Sequence, residues 1–238
     1  QQQATAALRT AAPVPAVEVT APSRGTARGY LFMAPKRGRG APTGPLIFDN
    51  QGEAVWFKAM PAGMRAYDFR VQRYKGKPVL TWWQGRTQSG FGKGEGVIYD
   101  GHYRQIATVR AGNGLEADFH EFVLTPRGTA YVLSFVEGRR DARRWGGTRD
   151  DKVMDNVIQE IDIGTGKVLF QWKGLDHMSP GEAYTRPPID PRKHWDPLHL
   201  NSINELPDGN LLVSSRDTHT TVKIDRRTGR IIWRMGGK

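Results

Sequence analysis

One ten-residue pattern occurs twice in this chain. Ile161-Asp162-Ile163-Gly164-Thr165-Gly166-Lys167-Val168-Leu169-Phe170 returns 63 residues later as Ile224-Asp225-Arg226-Arg227-Thr228-Gly229-Arg230-Ile231-Ile232-Trp233. Both copies read as strand, turn, strand. Looser versions run from Phe48 to Trp56 and from Tyr99 to Ile106. A second turn also repeats: residues 124–132, with Pro126-Arg127-Gly128, match residues 206–213, with Pro207-Asp208-Gly209. Glycine at each reversal supplies positive φ without a Cβ penalty. Two hairpins per unit make four strands. Four-stranded units recurring every 50 to 63 residues or so predict a β-propeller, and about four units are legible. No segment carries ten or more residues of helical periodicity. The predicted class is therefore all-β, a β-propeller of four-stranded antiparallel blades.

Composition narrows the function. The chain of 238 residues has no cysteine, which excludes a disulfide scaffold, cysteine-bound zinc and thiol catalysis. Seven Trp, seven Tyr and nine Phe give too much apolar bulk for a disordered chain. Apolar runs fall far short of the roughly 20 residues that span a bilayer. The formal net charge is +11. Much of the excess sits in the first forty residues (Arg9, Arg24, Arg28, Lys36, Arg37 and Arg39 against Glu18) and in residues 137–152. Neither stretch interleaves aromatic and basic residues as a single-strand nucleic-acid binder does, so no nucleic-acid partner is expected. A solubilising surface, or steering of a small anion, accounts for the charge. Residues 1–27 are rich in Ala, Gln, Pro and Thr and read as a flexible lead-in, with the propeller domain at 28–238. Such a leader often follows a removed export signal, which gives the expectation of a secreted or extracytoplasmic protein.

The first strand of a propeller blade lines the central channel. In the third unit that strand is His120-Glu121-Phe122-Val123-Leu124, and in the fourth it begins His199-Leu200-Asn201. Each starts with a histidine at one end of the channel. Centring the fourth-unit hairpin between Asp208 and Gly209 places Asn201 opposite Arg216, with His199 on the same face as Asn201. Imidazole, amide and guanidinium together suit an oxyanion with several equatorial oxygens. A histidine at a strand start also has a purely structural reading, and both readings stay open. His177, His194 and His219 fall in loops or strand ends and His102 in a turn. No close histidine pair has metal-ligand spacing, so neither metal nor cofactor is expected. Trp56, Trp172 and Trp233 end their units and are expected to pack between blades. The Trp82-Trp83 pair is either core or the lining of a ligand site. Residues 90–96, Gly-Phe-Gly-Lys-Gly-Glu-Gly, read as a flexible loop before a strand.

The segment from Asp118 to Phe122, the run from His199 through Pro207-Asp208-Gly209-Asn210 to Arg216, and the finish Ile231-Ile232-Trp233-Arg234-Met235-Gly236-Gly237 together resemble the arylsulfate sulfotransferase family. The likeness runs from about Gly29 to Lys238 and covers the N-terminal two-thirds of the family pattern. It implies a six-bladed, generally exported propeller that moves a sulfuryl group from a phenolic sulfate ester to a phenol, without a nucleotide donor. By the resemblance His120 and His199 are channel histidines, Asn201 an amide neighbour and Arg216 the sulfate-gripping arginine. The mechanism implied is a double displacement through a sulfohistidine. The family's sulfuryl-accepting histidine follows the Gly-Gly finish, so the expectation is a fragment with about four of six blades. Aryl sulfate and phenol are the expected partners, with a homo-oligomer also open. Two rival readings are a non-catalytic propeller that binds a protein or carbohydrate, and a quinone-dependent dehydrogenase propeller.

Overall fold

In the computed structural model the described residues are 14–21, 24–36 and 42–238. Most of the expected lead-in, with Arg9, lies outside them, as do Arg37 and Arg39. Val14 and Val17, within the lead-in, pack against Leu46, Phe48 and Phe57.

The described chain forms four antiparallel sheets. β1 (Leu31–Met33), β2 (Leu46–Phe48) and β3 (Ala54–Phe57) make a three-stranded sheet. The next has four strands: β4 (Arg65–Tyr74), β5 (Lys77–Gln88), β6 (Phe91–Tyr99) and β7 (Gln105–Val109). A third holds β8 (Phe122–Leu124), β9 (Thr129–Arg140), β10 (Asp151–Asp162) and β11 (Val168–Lys173). The last holds β12 (Leu200–Glu205), β13 (Leu211–Ser215), β14 (Thr220–Ile224) and β15 (Ile231–Gly236). Every sheet is a meander in chain order, which is the topology of a propeller blade. The repeated Asp-and-Gly segments are the turns between the third and fourth strands, and Gly166 and Gly229 take φ of 72° and 73° there. Helical structure among the described residues amounts to three short 3-10 turns, and none is long and apolar enough to cross a membrane.

The cores lie between sheets, because a meander buries each face against its neighbour. One cluster joins β1–β3 to β4–β7 through Ile47, Trp56, Phe69 and Trp82. A second joins β4–β7 to β8–β11 through Trp83, Ile98, Phe122 and Val132. A third joins the last two blades through Tyr131, Ile158, Trp172, Leu211 and Val222. Trp82 and Trp83 are adjacent on β5, so their side chains leave opposite faces and enter two different cores. Both are fully buried, which removes the ligand-lining alternative and leaves them as core. Trp56 and Trp172 pack between blades as expected, and the Trp172 indole donates to the Gly229 carbonyl at 2.9 Å. Trp233 differs, with 41% of its surface exposed on β15.

Residues 90–96 correct a second expectation. They are not a loop; most of them form the start of β6. Gly92, Gly94 and Gly96 alternate onto one face, where a Cβ would stand 2.5–2.8 Å from the rings of Trp83, Phe119 or Phe122. Glycine there permits close approach of strand to aromatic ring, a packing use that composition makes indistinguishable from loop glycine.

Charged groups reinforce the blade contacts. Glu160 on β10 is fully buried and accepts hydrogen bonds from Thr129 Oγ1 at 2.6 Å and from Arg127 at 3.0 Å. Arg226, in the turn before β15, reaches across to the same carboxylate with its Nε at 2.6 Å. Arg127 also pairs with Glu205 on β12 at 2.5 Å. The basic stretch 137–152 occupies the long β9–β10 hairpin, where Arg139 pairs with Asp150, Arg143 with Asp141 and Lys152 with Glu137.

Candidate functional site

The chain enters β8 and β12, the first strands of the last two blades, through segments of the same design. Before β8 the sequence is Asp118-Phe119-His120, and before β12 it is Asp196-Pro197-Leu198-His199. In both, the aspartate turns back onto its own histidine. Asp118 Oδ1 accepts the His120 backbone N–H at 2.9 Å and lies 2.5 Å from His120 Nδ1. Its other oxygen accepts the Gly92 backbone N–H at 2.5 Å. Asp196 Oδ1 accepts the His199 N–H at 2.9 Å, and Oδ2 lies 2.6 Å from His199 Nδ1. Short aspartate side chains readily close such local backbone rings, and here each ring also fixes an imidazole.

The two imidazoles meet. His120 Nε2 and His199 Nε2 are 3.2 Å apart, though 79 residues separate them in sequence. The rings cross at 84° with centroids 4.8 Å apart. Phe119 stacks on His120 at 4.3 Å, and Phe135 packs against both histidines at 5.3 Å. The histidine side chains are 12% and 5% exposed, so aromatic walls shield the pair from bulk water. His199 holds a left-handed φ of 48°, an uncommon conformation for a side chain of this size. Its carbonyl accepts the Arg216 N–H at 3.0 Å.

The expected pairing of Asn201 with Arg216 is corrected. Leu200 pairs with Ser215 and Ser202 with Ser214, so a bulge takes Asn201 out of the ladder. Arg216 is the neighbour of His199 instead. Two shifts cause this: Asn204 pairs with Leu212 and Glu205 with Leu211, so the turn is centred on Asp208 and sits one residue off the assumed register, and the bulge at Asn201 then shifts it again without a local sequence signature. His199 and Arg216 line one cleft of about 280 Å³, together with His194, Asp196, Arg186 and Asp217. The Arg216 Nε is held by Asp217 Oδ1 at 2.7 Å, and its side chain is 59% exposed. Asn201 is exposed on the first strand of its blade. The structure thus brings together His120 and His199, adds Arg216 at the cleft, and leaves Asn201 outside that group. Of the loop histidines, His177 stacks on Trp172 and His219 on Tyr184. His194 shares the cleft and packs edge-on against Phe91 at 5.3 Å.

Sequence reasoning missed the two aspartates as functional groups. The available signal was an Asp two or three positions before each inner-strand histidine. It also missed Asp68. This residue sits at a bulge of β4 with a φ of 53°. Its Oδ2 is 3.0 Å from Arg70 and accepts the Phe122 N–H at 3.2 Å. Arg70 also binds Glu121 at 2.5 Å, and Glu121 accepts the Ile203 N–H at 3.2 Å. These contacts lace β4, β8 and β12 together. Burial pushes the Asp68 carboxyl up to about 7, more than Arg70 lowers it, with Glu121 adding to the rise. Among the described residues no cluster of three or more His, Asp or Glu has the geometry to hold a metal ion.

Four-stranded blades whose first strands begin at a buried histidine pair, each ring backed by a carboxylate, define a β-propeller with a polar site at its inner strands. The chain belongs to the arylsulfotransferase (ASST) family, whose family model matches residues 70–238 and takes in both histidines, both aspartates, Asn201 and Arg216. A crystal structure of a protein of unknown function from Bacteroides caccae is also similar, at 16% identity and a TM-score of 0.49. The match covers 82% of this chain and 55% of that one, so this chain spans about half the length of that structure. No curated protein matches the chain.

Proposed function

We propose that the protein transfers a sulfuryl group from an aryl sulfate ester to a phenol, with no nucleotide donor, and that the cleft beside His199 takes the sulfate group. The observation that carries this reading is the buried His120–His199 contact beside Arg216. An aryl sulfate monoester is a stable anion whose S–O bond breaks with negative charge gathering on the departing phenolic oxygen. Arg216 offers a guanidinium to the sulfuryl oxygens, and the net positive charge of the chain favours approach of the anion. The histidine pair supplies a proton to the phenolic oxygen as the ester bond breaks, and takes one from the acceptor phenol in the return step.

Family membership supports a double displacement. An imidazole nitrogen attacks sulfur, the S–O bond breaks, and a sulfohistidine forms. The acceptor phenol then attacks sulfur, the S–N bond breaks, and the imidazole is restored. By the family resemblance the attacking imidazole is a later histidine than any named here.

The test is transfer from 4-nitrophenyl sulfate to phenol by the intact protein carrying His199→Gln. The expected result is loss of transfer of about 100-fold or more, with an unchanged β-sheet circular dichroism spectrum. Full activity in that variant would take the pair out of the reaction.

A further inference from the structure

We infer that His120 and His199 share one proton across their Nε2 atoms, and that Asp118 and Asp196 are positioning residues that hold both rings in the tautomer this requires. The inference rests on the proposed transfer for its use, but on geometry for its existence.

The tautomers follow from the acceptors. An ionised carboxylate has no proton to give. Asp118 accepts at both oxygens, from Gly92, from the His120 backbone and from His120 Nδ1. Asp196 likewise accepts from the His199 backbone and from His199 Nδ1. Each Nδ1 is therefore the donor, and each Nε2 is left to face its counterpart. If both rings were neutral, two lone pairs would oppose each other at 3.2 Å. If both were cationic, two N–H groups would. One proton between them converts the contact into an N–H···N hydrogen bond at the long end of the normal range.

Charge points the same way. Asp118 is fully buried, and the basic group within ion-pair distance of it is His120. Asp196 has His199 in the same role. Two neutral rings would leave two carboxylates in a largely dry site with no positive charge beside them, an expensive arrangement. Two guanidiniums line the cleft: Arg216 is engaged by Asp217, and Arg186 makes no ion pair with Asp118 or Asp196; His194 faces Glu137 at 3.9 Å. One imidazolium held between the dyads relieves the deficit and stores the proton that a departing phenolate needs. Once that proton leaves, the lone pairs oppose each other. The resting pair is thereby biased to take a proton back from the acceptor phenol.

Two measurements test this on the intact protein. Nitrogen-15 NMR of the histidine side chains at neutral pH reads the protons without any turnover. The expected spectrum has both Nδ1 atoms protonated and a single proton divided between the two Nε2 atoms. Two unprotonated Nε2 atoms or two fully protonated ones would overturn it. The second measurement compares 4-nitrophenyl sulfate, whose phenolate leaves readily, with unsubstituted phenyl sulfate, whose phenolate needs the proton. Asp118 also anchors Gly92, so its replacement risks the fold, and Asp196→Asn is the working variant. It should lose about 10-fold or more additional kcat with phenyl sulfate than with the nitro ester. Equal losses on both donors would make Asp196 a structural residue and overturn its assignment. If the wild-type protein shows no transfer to any phenol, the proposed function fails, while the spectrum still decides whether the proton is shared.

Discussion

Gly92 on β6 donates its backbone N–H to Asp118 Oδ2 at 2.5 Å, across the gap between two blades. The bond joins a glycine whose value is its missing side chain to the carboxylate that orients His120. A Cβ on Gly92 would lie 2.7 Å from Phe119 and 2.8 Å from Trp83. Phe119 in turn stacks on the His120 ring. The close approach of β6 is thus a structural condition of the histidine pair, carried by a residue with no chemistry of its own.

Gly92→Ala should therefore destabilise the fold by about 1–3 kcal/mol through overpacking, with Phe119 displaced from His120. Urea unfolding measures the first effect. An unchanged midpoint would mean that both rings yield freely.

Glu160 gives a second prediction. Burial alone would raise its carboxyl, but hydrogen bonds from Thr129, Arg226 and Arg127 outweigh that and hold it below the usual carboxylate range. A depressed carboxyl contributes stability above its unfolded value and loses it as pH falls through the folded one. Glu160→Gln leaves two arginines without their shared partner. The expected cost is about 3–5 kcal/mol at neutral pH, shrinking as the wild type is acidified. Thermal melts at several pH values decide it. A constant difference across that range would show that ionisation of Glu160 is irrelevant to the fold.

Asp68 has the opposite sign. Its carboxyl is raised from 3.8 to about 7, chiefly by burial. The stability it contributes is fully present below 3.8 and is lost as pH rises through about 7. Asn mimics the protonated form and tolerates the left-handed φ of 53° at this position. Asp68→Asn should raise the Tm relative to wild type at about pH 8 and by clearly less at about pH 4. A Tm difference that does not widen with pH would remove Asp68 from the titrating groups.

Arg216 is tested by catalysis. Its Nε is held by Asp217, which leaves the remaining guanidinium nitrogens to meet an anion in the cleft. Arg216→Ala should lower turnover of an aryl sulfate by about 100-fold or more, the loss seen on removing one oxyanion donor. Lys at the same position should recover only part of it, since an ammonium cannot grip two oxygens in one plane. Steady-state rates on 4-nitrophenyl sulfate measure both, and wild-type turnover in Arg216→Ala would place the sulfate elsewhere.

The blade pattern was legible because it is local. Turns such as Asp162 to Gly166 and Asp225 to Gly229 declare themselves by residue type, and alternation along a strand follows from backbone geometry. The all-β class could thus be read from the chain, and so could the blade-packing role of Trp56 and Trp172; His120 and His199, expected as the first residues of their strands, lie just before β8 and β12. The sequence also carried the family likeness that the match over residues 70–238 bears out. Tertiary structure decided what depends on distance between blades. A turn centred on Asp208 and a bulge at Asn201 each moved the register by which Asn201 had been set opposite Arg216, and bulges leave no reliable local mark. Gly92, Gly94 and Gly96 proved to be strand because Trp83, Phe119 and Phe122, brought in from elsewhere, fill the space their side chains would take. Trp82 and Trp83 proved to be core because a sheet covered on both faces buries neighbours in opposite directions. The meeting of His120 and His199 at 3.2 Å, each ring turned by its own aspartate, depends on how the last two blades stack. The sequence placed a histidine before each of those first strands; only the packing of one blade on the next aimed them at each other.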